Sequence, residues 1–200
     1  MKIPYQLNPF VVADPNKCIG CRVCELACST VHAHEKKPLT VGSMKNPLQP
    51  RLYLVRTIYG SVPVQCRHCE DAPCANACPV SAIVQKDGAI CINEELCMGC
   101  KTCILACPFG AITLMPVFEE GHPVQQNVAI ALDEYSNEMV GYKQLQVAGK
   151  CDRCINLEHP ACVENCPEHA LQLIVPENHR DARMQEAALS LGFIVKDCFS

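Results

Sequence analysis

Sixteen cysteines in four compact groups dominate the chemistry open to this chain. They are Cys18, Cys21, Cys24 and Cys28; Cys66, Cys69, Cys74 and Cys78; Cys97, Cys100, Cys103 and Cys107; and Cys151, Cys154, Cys162 and Cys166. A proline follows the last cysteine in three groups, as Pro79, Pro108 and Pro167. The third group is a C-x2-C-x2-C-x3-C-P run, in which three thiolates hold one cubane iron–sulfur cluster and the fourth ligates its neighbour. The spacing has a mechanical basis. Three thiolates on a tight loop converge on one point, while the fourth, followed by a helix-stopping proline, points elsewhere. Zinc is the competing reading, because C-x2-C pairs also build zinc ribbons, but those combine two pairs across a longer spacer. Disulfides fit worse, since cysteines two residues apart are poorly placed to bridge each other, and such dense grouping points to metal in a reducing compartment. At four ligands per cubane, sixteen cysteines make four 4Fe–4S clusters, with the same sixteen residues as the iron ligands.

Spacing alone does not fix which groups exchange their fourth ligands. Groups two and three are adjacent and symmetrical: CRHCEDAPCANACPVSAI and CMGCKTCILACPFGAI both close on Cys-Pro, two further residues and Ala-Ile. They are therefore expected to exchange, joining Cys66, Cys69 and Cys74 to Cys107, and Cys97, Cys100 and Cys103 to Cys78. By elimination, Cys18, Cys21 and Cys24 take Cys166, and Cys151, Cys154 and Cys162 take Cys28. The fold class expected is α+β, with two bacterial-ferredoxin-like modules of short hairpins and short helices. The inner module (64–114) is inserted in the outer one (10–34 plus 150–175). Loop-rich insertions occupy 35–63 and 115–149, and a C-terminal helix and tail occupies 176–200.

The elements that must position these loops are short. FVVAD at 10–14 reads as a strand leading into the first group, which lacks the proline, so the segment from Glu25 to His34 can continue as a helix. Within the first insertion Leu52–Thr57 reads as one strand and the remainder as loop. Asp87-Gly88 between AIVQK and AICIN signals a hairpin pairing Ile83-Val84 with Ile90–Ile92. The second insertion reads as irregular chain with a strand or two near Tyr142–Val147. DARMQEAALSLG reads as a helix with Asp181 near its N-cap and Gly192 as its stop, followed by FIVKDCFS as a short apolar strand or tail. Cys91 and Cys198 are left over, Cys91 as a small buried hydrophobe and Cys198 as inert. Among the residues between ligands, Arg22, Arg67, His68, Lys101, Asp152 and Arg153 read as solvated loop positions, with His68 the best candidate for a donor to a cluster sulfide. His32, His34, His122, His159, His169 and His179 form no ligand spacing.

Composition narrows the rest. A net charge of −4 argues against nucleic acid as a partner. No secretory apolar region and no run of eighteen apolar residues is present, so no direct membrane span is expected. With five Phe, five Tyr and no Trp, little aromatic core is available, and metal binding is expected to supply much of the folding free energy. The chain has no nucleotide-binding glycine loop, no paired carboxylates and no nucleophile–base arrangement, so no catalytic residue is assigned.

The segments FVVADPNKCIGCRVCELAC, PRLYLV, CRHCEDAPCANACP, CMGCKTCILACPFGAI and CDRC…PACVENCP together resemble one family, from Phe10 to about Val175. It is that of the four-cluster polyferredoxin subunits accompanying molybdopterin or tungstopterin oxidoreductases and some hydrogenases. The likeness is greatest to the small subunits of formate dehydrogenase, formate hydrogenlyase and hydrogen-dependent carbon dioxide reductase. The resemblance agrees with the ligand exchange above. It implies an electron-transfer subunit rather than an enzyme, a wire between a large molybdopterin or tungstopterin catalytic subunit and a second redox subunit. That second partner is a hydrogenase, a flavoprotein or another polyferredoxin. Alternatives are the same wire for a tungsten aldehyde oxidoreductase or other pterin enzyme, or a freely diffusing polyferredoxin. The compartment expected is the cytoplasm of an anaerobe, and the C-terminal tail is a candidate for self-assembly.

Overall fold

The structure is a computed structural model that describes residues 7–33, 41–132 and 139–198. It is built from two-stranded sheets and short helices, and no larger sheet forms among the described residues. β1 (Phe10–Ala13) leads to α1 (Val23–Val31), the helix that the missing proline allows past Cys28. β2 (Tyr53–Thr57) and β3 (Gly60–Val64) then form a hairpin in which Leu54 faces Pro63. The first insertion therefore holds two strands, not the single strand expected. Pro63 does not prevent this, because a two-stranded ribbon consists only of edges and an edge position needs no N–H from proline.

α2 (Pro73–Asn76) is followed by β4 (Ile83–Lys86) and β5 (Ala89–Ile92), paired as expected with Ile83 opposite Ile92. Asp87 (φ 50°) and Gly88 (φ 69°) are both left-handed, the conformation that a tight two-residue hairpin loop demands. α3 (Thr102–Ala106) and β6 (Thr113–Pro116) follow. The second insertion is richer in strand than expected: β7 (Phe118–Glu119), β8 (His122–Pro123), β9 (Gln125–Leu132), β10 (Met139–Gln144) and β11 (Gln146–Gly149). Gly121 (φ 89°) forms the turn between β7 and β8. Pro116 and Pro123 occupy paired strand positions and Gly141 lies within β10, which pairs with β9, so these residues do not abolish the strands.

α4 (Ala161–Glu164) precedes β12 (Leu171–Ile174), which pairs antiparallel with β1 from the opposite end of the chain. α1 packs on α4 and α2 on α3. One buried cluster gathers Val11, Leu52 and Leu171 around Cys24, Cys28 and Cys162, and another gathers Ile83, Ile90, Ile112 and Ala148 around Cys74 and Cys103. Aliphatic side chains thus close over the thiols, and few aromatics take part.

The chain ends in α5 (Pro176–Cys198), longer than the sequence suggests in both directions. It begins at Pro176, whose fixed φ suits a first helical position, rather than near Asp181, which instead pairs with Arg180 at 2.9 Å. It also runs through Gly192, where an interior glycine costs only about 1 kcal/mol relative to alanine. FIVKDC is accordingly helical, not a strand, while the side chain of Cys198 lies outside the described residues, as do Phe199 and Ser200.

Candidate iron–sulfur centres

Each short helix carries or introduces two cysteines one turn apart: Cys24 and Cys28 on α1, Cys74 and Cys78 at α2, Cys103 and Cys107 at α3, Cys162 and Cys166 at α4. Residues four apart share a helix face and lie one above the other, so each helix can serve two adjacent sites. Cys18, Cys21 and Cys24 line an opening of about 350 Å³ together with Cys166. Cys97, Cys100 and Cys103 line one of about 330 Å³ with Cys78. Cys66, Cys69 and Cys74 line one of about 310 Å³ with Cys107. Each gathers three thiols of one group with the last of another, and the three are alike in size. The remaining four thiols also lie near one another: Cys162 interacts electrostatically with Cys28 and Cys154, and Cys151 with Cys162 and Cys28.

The loops fit anionic sulfur. Backbone N–H groups donate to thiols at 3.3 Å from Ala82 to Cys78, Ala148 to Cys97, Arg153 to Cys151, Ala170 to Cys166 and Arg51 to Cys28. His68 N–H donates to Cys66 at 3.4 Å. A recurrent turn produces part of this pattern. The third residue after the closing cysteine is left-handed in all three Cys-Pro groups, at Ser81 (φ 52°), Gly110 (φ 60°) and His169 (φ 47°). Left-handed residues also start the helices, with Arg22 (φ 63°), Ala72 (φ 35°) and Lys101 (φ 70°) at the N-caps of α1, α2 and α3. Such conformations are unfavourable for side-chain-bearing residues and persist where their surroundings hold them, as a bound cluster would. Convergent thiols ringed by amide donors are the donor set a 4Fe–4S cluster requires.

Burial pushes the thiols of Cys24, Cys74 and Cys154 up to about 11, that of Cys162 up to about 12, and that of Cys151 well above its ordinary value. Exposed Cys100 moves the other way, its thiol lowered by hydrogen bonds from Thr102, whose hydroxyl lies at 3.4 Å. A buried thiol so shifted stays protonated at neutral pH unless a metal displaces the proton. Cys91 is half-buried on β5 opposite Val84 and lines none of the three openings.

Of the charged positions between ligands, Arg22 and Lys101 are exposed, but the solvated reading fails for the others. Arg67 donates to Val11 O at 2.9 Å and lies over the Phe10 ring. Arg153 donates to Gly88 O at 2.8 Å and Asp87 O at 2.7 Å. His68 is 1% exposed; its Nδ1 accepts from Ile90 N–H at 3.0 Å, and its Nε2 has no partner among the described residues. Burial, with Lys150 and Arg153 nearby, drives His68 down to about 3. These side chains are tied to distant parts of the protein, His68 fully buried and Arg67 and Arg153 partly so, which no local pattern discloses.

Sequence reasoning missed a polar junction. Arg51 donates to Asp152 at 2.8 Å and to Glu94 at 3.0 Å, and His32 Nε2 donates to Asp152 at 3.0 Å. His32 Nδ1 lies 2.7 Å from Cys28 O and 3.6 Å from Cys28 Sγ. Burial opposes charge on His32, but hydrogen bonds to Asp152 and Cys28 outweigh it and raise the imidazole to about 9. Burial likewise opposes ionisation of Asp152, yet the His32 bond and the Arg51 charge hold it below its ordinary range. His32, Asp152 and Cys154 bring possible metal-ligand atoms within 4.8 Å of one another, but the imidazole and guanidinium already take the carboxylate.

A 4Fe–4S dicluster domain family matches residues 57–120, a second one residues 89–167, and a 4Fe–4S binding domain family residues 15–31. Hydrogenase-4 component A of Escherichia coli (strain K12) is 43% identical over 183 residues, covering 86% of this chain and 85% of that protein. The chain belongs to the 4Fe–4S electron-transfer protein family. Within this family, electron transport protein HydN of the same organism is 39% identical over 166 residues, covering 82% and 87% of the two chains. Formate hydrogenlyase subunit 2, also from Escherichia coli (strain K12), is 39% identical over 197 residues, covering 94% and 91%. The chain is thus an iron–sulfur electron-transfer subunit related to formate hydrogenlyase, binds 4Fe–4S clusters and is not itself catalytic. Among the described residues, no helix is long and apolar enough to cross a membrane.

Proposed function

We propose that this chain holds four 4Fe–4S clusters as a wire between a large molybdopterin or tungstopterin subunit of the formate dehydrogenase or carbon dioxide reductase type and a second redox subunit. The observation that carries the reading is the recurrent gathering of three thiols from one group and one from another around openings of similar size. The ligand sets follow: Cys18, Cys21, Cys24 and Cys166; Cys28, Cys151, Cys154 and Cys162; Cys66, Cys69, Cys74 and Cys107; Cys78, Cys97, Cys100 and Cys103. A cluster bound at each site supplies a one-electron couple whose potential depends on hydrogen bonds, net charge and exposure.

The chain's own residues do the remaining work. Thiolates one helical turn apart hold neighbouring sites at fixed separation, and aliphatic side chains close over the buried ligands, while Cys21 and Cys100 face outward. The pairing of β1 with β12 and of α1 with α4 supports an outer module split between the two chain ends. The β4–β5 hairpin with α2 on α3 supports an inner module inserted within it. The names of the relatives, a hydrogenase component and a formate hydrogenlyase subunit, support redox partners in a complex. The compartment that suits so many oxidisable thiols is a reducing cytoplasm.

Replacement of single ligands tests the sets. Cys107→Ser is expected to alter the spectrum of the cluster held by Cys66, Cys69 and Cys74 and to leave the one held by Cys97, Cys100 and Cys103 intact. The reverse result would overturn the exchange. Anaerobic co-purification with mass analysis tests the partners, with a large pterin subunit expected at fixed stoichiometry.

A further inference from the structure

Lys150 follows β11 and immediately precedes Cys151, so its backbone opens the fourth group's loop while its side chain reaches the inner hairpin. It is 3% exposed, the only buried lysine or arginine among the described residues. Its Nζ donates to the Ile90 carbonyl, to Cys151 O at 2.9 Å and to Cys66 Sγ at 3.5 Å. All three partners are acceptors, which accounts for the three N–H donors of an ammonium group. No carboxylate pairs with it among the described residues. An ammonium removed from water without a counter-charge is strongly destabilised. Of its three partners only Cys66 can carry a full negative charge, and it does so as the thiolate that ligates iron.

The location gives this charge a role. Cys66, Cys151 and Ala111 form one small buried group with Cys107 packed against it, so a ligand of the inner module meets one of the outer module here. Ile90 fixes both sides of the contact. Its N–H donates to His68 Nδ1 and its carbonyl accepts from Lys150. The ammonium is therefore held in place by backbone rather than by a mobile surface partner.

We propose that Lys150 sets the reduction potential at the junction between the two modules, its ammonium favouring the reduced state of the cluster held by Cys66, Cys69, Cys74 and Cys107. The cluster held by Cys28, Cys151, Cys154 and Cys162, on the other side of the junction, is favoured to a smaller degree. The step concerned is the addition of one electron, delivered by a redox partner, with no proton transferred. A positive charge near a site that becomes more negative stabilises the product, and hydrogen bonds to ligand sulfur act in the same direction. This inference rests on the four-cluster reading.

The test is a redox titration of the anaerobically purified chain, monitored by electron paramagnetic resonance, in wild type, Lys150→Met and Lys150→Arg. In Lys150→Met with full iron content, the reduction equilibrium of the cluster held by Cys66 is expected to fall at least tenfold, 59 mV for a one-electron couple. The clusters held by Cys97 and by Cys18 should move by less than threefold, and Lys150→Arg should recover most of the loss. Four unmoved potentials, or an equal fall in all four, would overturn the inference while leaving the four-cluster reading intact. A wild type that still lacks one of the two junction clusters after anaerobic reconstitution with excess iron and sulfide would overturn the reading itself, and this inference with it. A second measurement needs no variant. Wild-type protein labelled with ¹⁵Nζ-lysine and partly reduced should show hyperfine coupling from one lysine nitrogen to the junction cluster. The absence of that coupling would also overturn the inference, even if Lys150→Met fails to load clusters.

Discussion

Gly20 and Gly99 occupy the same place in two cysteine loops, each directly before the second cysteine, and the same substitution at each should have different consequences. Both are left-handed, at φ 72° and 66°. Alanine at either position incurs the left-handed penalty of roughly 1–2 kcal/mol. The surroundings then separate them. A Cβ at Gly20 would lie 3.0 Å from Ser61 Oγ, a hydroxyl that can rotate away. A Cβ at Gly99 would lie 2.5 Å from the Gln146 carbonyl oxygen, which is backbone and cannot. Gln146 begins β11, and β11 also supplies the Ala148 N–H that donates to Cys97 Sγ at 3.3 Å. Relief of the clash therefore displaces a donor to a ligand sulfur. Overpacking of this kind costs about 1–3 kcal/mol, so Gly99→Ala should lose about 2–5 kcal/mol against about 1–2 for Gly20→Ala. The difference corresponds to about a 5- to 150-fold change in an equilibrium. Iron release to a ferrous chelator under anaerobic conditions, followed by electron paramagnetic resonance, measures it. Gly99→Ala should shed the cluster held by Cys97, Cys100 and Cys103 first, whereas Gly20→Ala should retain a full complement. Equal loss in both variants, or loss at an unrelated site in Gly99→Ala, would refute the reasoning.

Arg51→Met removes the guanidinium that joins Asp152 to Glu94. Its side chain is 15% exposed and those of its partners 22% and 35%, so the cost should lie between that of a surface pair and a buried one, about 2 kcal/mol. Faster cluster release, with partial recovery in Arg51→Lys, is the readout. Cys91→Ala should leave iron content, spectra and potentials unchanged, because Cys91 lines none of the three openings. Cluster assembly should weaken as pH falls. The free thiols of Cys24, Cys74 and Cys154 titrate at about 11 and that of Cys162 at about 12, so each iron–thiolate bond formed near neutral pH releases a proton. Apparent affinity should then rise by up to about tenfold per pH unit for each such thiol. Reconstitution compared at two pH values reads this slope, and an opposite slope would contradict the raised thiols.

The positions of the cysteine loops, the β4–β5 hairpin and the strand before Cys18 were legible because each rests on local chemistry. Cys-x2-Cys spacing curls a loop, Asp-Gly forms a tight turn, and a missing proline lets α1 continue past Cys28. The β2–β3 hairpin and the strands of the second insertion were less legible, since Pro63, Pro123 and Gly141 read as irregular chain yet sit within two-stranded ribbons, whose edge positions tolerate them. Gly192 misled because a glycine stops a helix only where the chain turns left-handed, and nothing local to it decides that. The polar junction formed by His32, Arg51, Glu94 and Asp152, and the buried contacts of Lys150 with Ile90 and Cys66, were invisible for another reason. Their members lie up to 120 residues apart, as for His32 and Asp152, and only the folded loops bring them together. One local trace existed: Lys150 is a lone charge ending the apolar run Val147-Ala148-Gly149, an unusual place for a lysine that does not reach solvent.

The central claim is that sixteen thiolates hold four cubane clusters that accept and return electrons. Anaerobic purification followed by iron and acid-labile sulfide analysis and a reductive titration tests it most directly. The account predicts about sixteen iron and sixteen sulfide per chain, with visible absorption that bleaches on reduction and returns on oxidation. Zinc in place of iron, half the expected iron, or a chromophore that cannot be cycled would contradict it.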